Sequence, residues 1–128
     1  QYNVTCAASV SQYAAIAALT AGIDDALPMR EAYVRRRDYA YARLVAAGFD
    51  VAKPEGAFYI FPSVRKFGLD STSFAYRLLE EHRVAVVPGN AFTPFGEGFV
   101  RLSYACSMVT LAAALDRIET FAASLSDA

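Results

Sequence analysis

The chain has 128 residues, 55% of them hydrophobic, and its 12 basic and 13 acidic side chains give a formal net charge of −1. This length corresponds to one domain with room for a substantial core, and the apolar content excludes a disordered chain. The near-neutral charge argues against nucleic acid or an anionic membrane as the main partner.

Residue types that often carry chemistry are few in this sequence. Cys6 and Cys106 lack the spacing of a disulfide framework and are typical of reduced thiols in a cytoplasmic protein. His82 is the only histidine, and no metal-binding motif is present in the sequence. No apolar run approaches the length of a membrane span. The first residue is not methionine and no signal-peptide pattern follows it, so we expect a piece of a longer protein.

The first part of the chain is predicted to be helical. Ser9 begins a capping-box pattern that precedes an alanine-rich helix over residues 11–21. A longer helix is predicted over residues 24–47, and it ends at Gly48, a residue type favoured just after a helix. The three arginines at 35–37 point in different directions on that helix and are interpreted as a solvated face with local ion pairs. Its buried stripe is predicted to consist of Met29, Tyr33, Ala40 and Leu44.

Strands and a third helix are predicted in the middle of the chain. Residues 49–52 and 57–61 form a strand pair joined by a Pro-Glu-Gly corner. The aromatic side chains of the second strand, AFYIF, most simply pack a sheet against helices, and cofactor stacking is the less favoured alternative. The third helix runs to Glu81 and is followed by His82, which we interpret as structural. Its cap is predicted to be Ser71, Thr72 or Ser73, and its inward side chains Phe74, Leu78 and Leu79.

The stretch from residue 84 to 107 contains the most informative side chain. An apolar run at 85–87 stops at a Pro-Gly turn, a loop with two further glycines follows, and residues 99–104 form another strand. Arg101 lies in the middle of that strand. It either faces water on a half-buried strand or points to an anion, because a buried guanidinium needs acceptors. From the strand alone, the two interpretations are equally favoured.

The end of the chain predicts one more helix, which completes the fold class. Ser107 caps this helix, whose buried face is predicted to consist of Leu111, Leu115, Ile118, Ala122 and Leu125. Helices that alternate with paired short strands predict an α+β fold, in which helices cover a small mixed sheet and a long helix precedes it in the chain. The sequence contains no nucleophile–base pair, metal cluster or phosphate loop, so the residues alone lead to a domain with one arginine that needs an explanation.

Four stretches in order form a pattern more specific than any single motif. They are VTCAASVSQYAAIAAL at 4–19, the M-x-x-x-Y-x-x-R-R-D spacing at 29–38, PEGAFYIFP at 54–62, and VAVVPGNAF…GEGFVRLSYACS at 84–107. Together they resemble the C-terminal part of a class I/II aminotransferase, the fold-type I enzymes that use pyridoxal phosphate. The resemblance implies that residues 1–22 are the tail end of the large cofactor-binding domain, 23–48 the interdomain helix, and 49–128 the small C-terminal domain.

The resemblance also gives Arg101 a role. In the GFVRLSYA match it corresponds to the arginine that binds the α-carboxylate of the substrate, and its planar fork can make two parallel charge-assisted bonds to that group. In the family, the Schiff-base lysine, the aspartate on the pyridinium nitrogen and most phosphate ligands precede this part of the enzyme. No catalytic or cofactor-binding residue is therefore expected in this chain, and Lys53 and Lys66 lie outside the matching motifs.

The resemblance implies a full-length cytoplasmic homodimer that moves an amino group between an amino acid and a 2-oxo acid. The present chain is expected to be inactive and to bind no pyridoxal phosphate, and residues 1–21 to be disordered or docked on a second copy. Two other functions remain open: a C–S/β-lyase of the same fold, and a stand-alone, non-catalytic interaction domain. The sequence does not identify the donor amino acid, because side-chain selectivity depends largely on parts outside this chain.

Overall fold

A computed structural model describes residues 6–126. These residues divide into two compact units, one up to Ala32 and one from Tyr33 onward. Within the described range the α-helices are α1 (Ser9–Thr20), α2 (Leu27–Ala46), α3 (Ser71–His82) and α4 (Met108–Ser126). The strands are β1 (Tyr59–Ile60), β2 (Val87–Pro88) and β3 (Val100–Ser103). No helix in the described part is both long and apolar enough to cross a membrane.

The first unit contains α1, and none of the residues of this helix is buried. The capping prediction is wrong: the helix begins after Ala8 without a side-chain cap, and Ser9 is its first residue. The side chain of Gln12 instead donates a hydrogen bond to the carbonyl of Ala7 at 2.7 Å. Apolar side chains on α1 are exposed, and those of Val10 and Tyr13 are 81% and 75% exposed. Residues 1–5 of this segment lie outside the described residues, and both alternatives, disorder and docking on a second copy, stay predictions.

Helix α2 follows a short 3₁₀ turn and buries only part of the predicted stripe. Ala40 and Leu44 are buried and Tyr33 is half-buried, whereas Met29 is exposed. The prediction is wrong for Met29 because the core of the second unit begins only at Tyr33. Among the neighbouring arginines, Arg37 forms an ion pair with Asp38 at 2.8 Å, as the local-pair interpretation requires.

Helices α3 and α4 pack against each other in the second unit. The α4 prediction is confirmed: its Leu111, Leu115, Ile118 and Ala122 are buried, and its Leu125 is partly buried. The hydroxyl of Ser107 accepts a hydrogen bond from the amide of Thr110 at 3.1 Å, as expected of its cap. The ring of His82 contacts the ring of Phe121 in a tilted arrangement, which agrees with a structural role for the histidine.

The third helix differs from its prediction in two details. Its cap is Asp70, whose carboxylate accepts from the amides of Thr72 and Ser73 at 3.0 and 2.9 Å. Phe74 and Leu78 are buried as predicted, but Leu79 is 42% exposed. Adjacent positions on a helix are rotated by about 100°, so Leu79 lies beyond the edge of the buried stripe.

The three strands form a sheet in the order β1-β3-β2, and both pairings are antiparallel. The α+β fold class is confirmed, but both pairs in the described part are antiparallel, so the term "mixed" does not apply to them. The predicted strand at 49–52 is reduced to a single bridge between Asp50 and Ser63. The core between this sheet and the helices includes Ile60, Val100, Leu102, Tyr104, Phe74 and Phe121.

Candidate functional site

The alternation of side chains along β3 determines the direction in which Arg101 points. Val100 and Leu102 are buried at 2% and 6% exposure, and Tyr104 just beyond the strand is 1% exposed. Arg101 is half-buried and Ser103 is exposed on the opposite face. Since successive strand residues point to opposite faces, burial of the apolar set directs the guanidinium away from the core. The strand predicted at residues 99–104 is therefore present at Val100–Ser103, with Arg101 on its outer face.

The first aromatic neighbour of Arg101 comes from β1. Tyr59 pairs with Ser103 in the antiparallel register, so Arg101 is its diagonal neighbour on the same face. Such diagonal pairs are within reach of long and aromatic side chains. The guanidinium carbon of Arg101 lies over the ring of Tyr59, 4.3 Å from its centroid. A cation held this way over an aromatic face is stabilised by the ring quadrupole.

The second aromatic neighbour comes from the loop between β2 and β3. Phe92 follows a 3₁₀ turn at Gly89–Ala91, and its ring centroid lies 4.5 Å from the guanidinium carbon of Arg101. The amide of Gly89 donates to the carbonyl of Phe99 at 2.8 Å, which ties the start of the loop to the start of β3. The ring of Phe92 also packs edge-on against Phe61, with centroids 6.1 Å apart.

Two glycines close this loop on itself. The backbones of Gly89 and Gly96 approach so closely that a Cβ atom on either residue would collide with the backbone of the other. The loop conformation therefore requires glycine at both positions, and it brings the segment that carries Phe92 back toward the entrance of β3. The sequence shows that this loop contains glycines, but it does not show that Gly89 and Gly96 touch each other.

Glu97 anchors the end of the same loop to helix α3. Its Oε1 atom accepts hydrogen bonds from the amide and the hydroxyl of Ser71 at 2.8 and 3.0 Å and from the amide of Gly98 at 2.9 Å. Its Oε2 atom accepts from the side chain of Asn90 at 2.8 Å. The backbone hydrogen bond from Ser71 is the main reason that the pKa of Glu97 lies below its usual value. Ser71, fully buried, also accepts from the amide of Gly98 at 2.7 Å.

The electrostatic environment of Arg101 differs from that of a paired arginine. Within residues 6–126 it has no ion pair with a carboxylate, and its contacts are the two aromatic rings. Cation–π contacts use the charge of the guanidinium but leave its N–H groups without an acceptor. This arrangement can bind a planar anion such as a carboxylate through two parallel hydrogen bonds.

Neither lysine of the chain is arranged as a cofactor-binding residue. Lys53 pairs with Asp38 at 2.9 Å, and its ammonium group lies 5.8 Å from the ring centroid of Tyr41. Lys66 lies over the rings of Phe49 and Phe67. Both lysines are exposed, and neither contacts the Arg101 face. The described residues therefore do not fit pyridoxal phosphate by themselves, and they include no cluster of side chains that could hold a metal ion.

Sequence reasoning identified Arg101 but missed the residues around it. Tyr59 was assigned with its neighbours to packing a sheet against helices, and in that segment only Ile60 is fully buried. Local patterns do not mark Phe92 or Glu97, because their contacts with Arg101 and Ser71 form only when the loop folds back. A usable signal existed for Tyr59: it precedes a buried residue in a short strand, so it must face the side opposite the core.

Comparisons with known proteins identify the family of the chain. The sequence model of the family described as "Aminotransferase class I and II" matches residues 1–118. The chain is 60% identical over 121 residues to a probable N-acetyl-LL-diaminopimelate aminotransferase of Bacillus subtilis, covering 94% of this chain and 31% of the relative. It is 44% identical over 123 residues to aromatic-amino-acid aminotransferase 2 of Thermococcus litoralis, covering 92% of this chain and 31% of the relative.

A solved structure shows the same fold. The aromatic aminotransferase of Pyrococcus horikoshii matches with a TM-score of 0.90 and 45% identity, covering 96% of this chain and 34% of that one. The chain thus spans about a third of the length of the relatives that it matches. Because the family model covers nearly all of its residues, the chain belongs to the class I and II aminotransferase family.

Proposed function

We propose that the full-length protein carrying this chain is a pyridoxal-phosphate-dependent aminotransferase that moves an amino group between an amino acid and a 2-oxo acid. In this proposal Arg101 binds the α-carboxylate of both substrates. The observation that carries it is the position of the guanidinium: half-buried beside two rings, on the face of β3 opposite the core, and without a carboxylate partner among the described residues. Family membership supports the reaction class.

The proposed contribution of Arg101 is binding and orientation. Two parallel bonds from a guanidinium to a carboxylate fix both the position and the plane of the substrate end. The rest of the amino acid is then held in one direction relative to the reactive centre, which lowers the entropic part of the barrier. The residues that would hold pyridoxal phosphate belong to other parts of the full-length protein.

We further propose that the 128-residue chain is catalytically inactive on its own. The support is the arrangement of Lys53 and Lys66, each of which is exposed and makes contacts away from Arg101. The resemblance assigns the Schiff-base lysine to another part of the enzyme. Within the proposal, this chain supplies the carboxylate-binding wall and the remaining parts supply the cofactor.

The proposal extends to substrate, location and assembly. The 60% identity to a probable N-acetyl-LL-diaminopimelate aminotransferase makes N-acetyl-LL-diaminopimelate the first amino-group donor to test. The two free cysteines, Cys6 and Cys106, support a cytoplasmic protein. The exposed apolar side chains of α1 support burial of this helix in the full-length homodimer.

The experiment is a product assay of the full-length protein with a panel of amino acids and 2-oxoglutarate. An aminotransferase produces glutamate and the oxo acid of the donor in equal amounts. A lyase of the same fold would release ammonia, and glutamate would not form. A protein that gives neither product and binds no pyridoxal phosphate would refute the proposed activity and favour the non-catalytic interaction domain.

A further inference from the structure

Arg101 lies over two aromatic rings that come from different segments of the chain. The rings of Tyr59 and Phe92 have their centroids 4.3 and 4.5 Å from its guanidinium carbon. Tyr59 belongs to the sheet, and Phe92 belongs to the loop that is closed at Gly89 and Gly96. An arginine side chain has several rotatable bonds, so two fixed rings restrict where its charged end can lie.

Tyr59 is half-buried in the sheet, whereas Phe92 is exposed on its loop. Phe92 is 49% exposed although it is a large apolar side chain, so core burial explains only part of its position. Its identified ring contacts are the guanidinium of Arg101 and Phe61, which is itself 43% exposed. The close approach of Gly89 and Gly96 fixes the loop that carries Phe92, so the ring is held beside the guanidinium of Arg101.

We propose that Tyr59 and Phe92 are positioning residues that hold the guanidinium of Arg101 ready for a substrate carboxylate. The inference rests on the proposed carboxylate-binding function of Arg101 and adds the residues that orient it. The rings hold the cation without neutralising it, whereas an acidic neighbour would compete with the substrate for the same N–H groups. Tyr59 and Phe92 do not touch the substrate in this role; they act through Arg101.

The same contact predicts which kinetic constants change. Both substrates carry an α-carboxylate next to the reacting carbon, so loss of a ring weakens the binding of amino acid and 2-oxo acid alike. Interactions present equally in the ground state and the transition state alter KM more than kcat. Removal of one cation–π contact is expected to raise KM for both substrates by about three- to tenfold.

The test uses the full-length protein and leucine substitutions, which keep apolar volume but remove the ring. Phe92→Leu and Tyr59→Leu should raise both KM values, with kcat within about twofold of wild type. Phe92→Tyr should restore KM because it restores the ring. Phe95→Leu is the matched control, since Phe95 lies on the same loop, is 91% exposed and does not contact Arg101.

Arg101→Met separates this inference from the function on which it rests. If Arg101→Met leaves KM unchanged, the carboxylate-binding proposal itself is wrong. If Arg101→Met raises KM but Phe92→Leu and Tyr59→Leu behave like Phe95→Leu, only the positioning inference is overturned. Should Tyr59→Leu lose its cofactor absorbance or fail to fold, Phe92→Leu and its rescue by Phe92→Tyr decide the question. Raised KM that Phe92→Tyr does not rescue would also contradict the inference.

Discussion

Replacing Arg101 by lysine tests the geometry of the site separately from its charge. Arginine and lysine both carry one positive charge, but only arginine presents a rigid fork of N–H donors. On β3 the backbone of Arg101 pairs with Val87 in the antiparallel ladder, and a change of side chain leaves this strand register unchanged. The half-buried position also accommodates the slimmer lysine without strain. The variant therefore isolates the loss of two-pronged recognition.

The size of the effect follows from the bonds that the structure leaves available. The N–H groups of Arg101 have no acceptor among the described residues, so wild type can offer two parallel bonds to a carboxylate. A lysine ammonium offers one well-aligned bond in their place. A hydrogen bond to a charged group contributes about 1.5–3 kcal/mol, so we expect Arg101→Lys to lose about 2 kcal/mol. This corresponds to a decrease of about thirtyfold in kcat/KM.

The assay is steady-state kinetics of the full-length protein with amino-acid donors. Cofactor content, measured by visible absorption, should equal that of wild type, because Arg101 is proposed to contact substrate only. Arg117→Lys provides the same chemical change at an exposed position on α4 and should leave kcat/KM unchanged. The reasoning is refuted if Arg101→Lys retains wild-type kcat/KM, or if Arg117→Lys loses as much.

Three further predictions concern the anchor of the loop and the lysines. Ser71→Ala removes a fully buried hydroxyl that is bonded to Glu97, and it should lower the free energy of unfolding in urea by about 1–2 kcal/mol. Ser73→Ala is the control: the hydroxyl of Ser73 bonds only to the exposed carboxylate of Asp70, so its loss should lower the free energy of unfolding by less. Folding lowers the pKa of Glu97, so its carboxylate stabilises the folded protein fully at any pH above the ordinary pKa of glutamate. This contribution is lost as pH falls through the pKa of Glu97 in the folded protein. Glu97→Gln should flatten that acid limb, and coincident stability–pH curves would contradict the assignment. The 128-residue chain mixed with pyridoxal phosphate and freed of excess should show no stoichiometric imine absorbance from Lys53 or Lys66, and its appearance would overturn the proposal of an inactive chain.

Patterns that depend on sequence neighbours predicted the fold well. The buried face of α4 and the alternation along β3 repeat at fixed intervals, so apolar periodicity was enough to find Leu115 or to separate Val100 from Arg101. The same reasoning failed at the margins of elements. Met29 has the spacing of a buried residue but lies before the core of the second unit begins, and the residues around Asp50 form one bridge instead of a strand.

The surroundings of the candidate site could not be obtained from local patterns. Three hydroxyl residues at 71–73 are candidate caps, and Asp70 is a residue type equally suited to that position, so local preference does not decide between them. In the structure Ser71 is buried and its hydroxyl donates to the carboxylate of Glu97, a residue 26 positions away, instead of capping the helix. The contact of Phe92 with Arg101 likewise depends on the close approach of Gly89 and Gly96. Contacts of this kind exist only once the loop has folded.

Arg43 and Arg101, both in the second unit, differ in whether their charge is paired with a carboxylate of the described residues. Arg43 donates hydrogen bonds to Asp116 and Glu119, and the hydrogen bond to Glu119 is the main reason that its pKa is raised. An arginine so paired links α2 to α4 and has little affinity left for another anion. Arg101 instead lies over two rings, which hold its position while its charge remains uncompensated within residues 6–126.

Ring contact alone is not sufficient to mark such a site. Arg36 and Arg65 each lie over a single ring, and Arg65 is exposed and already donates to the backbone carbonyl of Glu97 at 3.1 Å. Arg101 combines two rings, partial burial and N–H groups without an acceptor in the described part of the chain. Partial burial strengthens a charge-assisted bond because fewer water molecules compete for the donors. In the proposed function, the anion that completes this arrangement comes from outside these residues, and a substrate carboxylate matches it in charge, shape and number of acceptors.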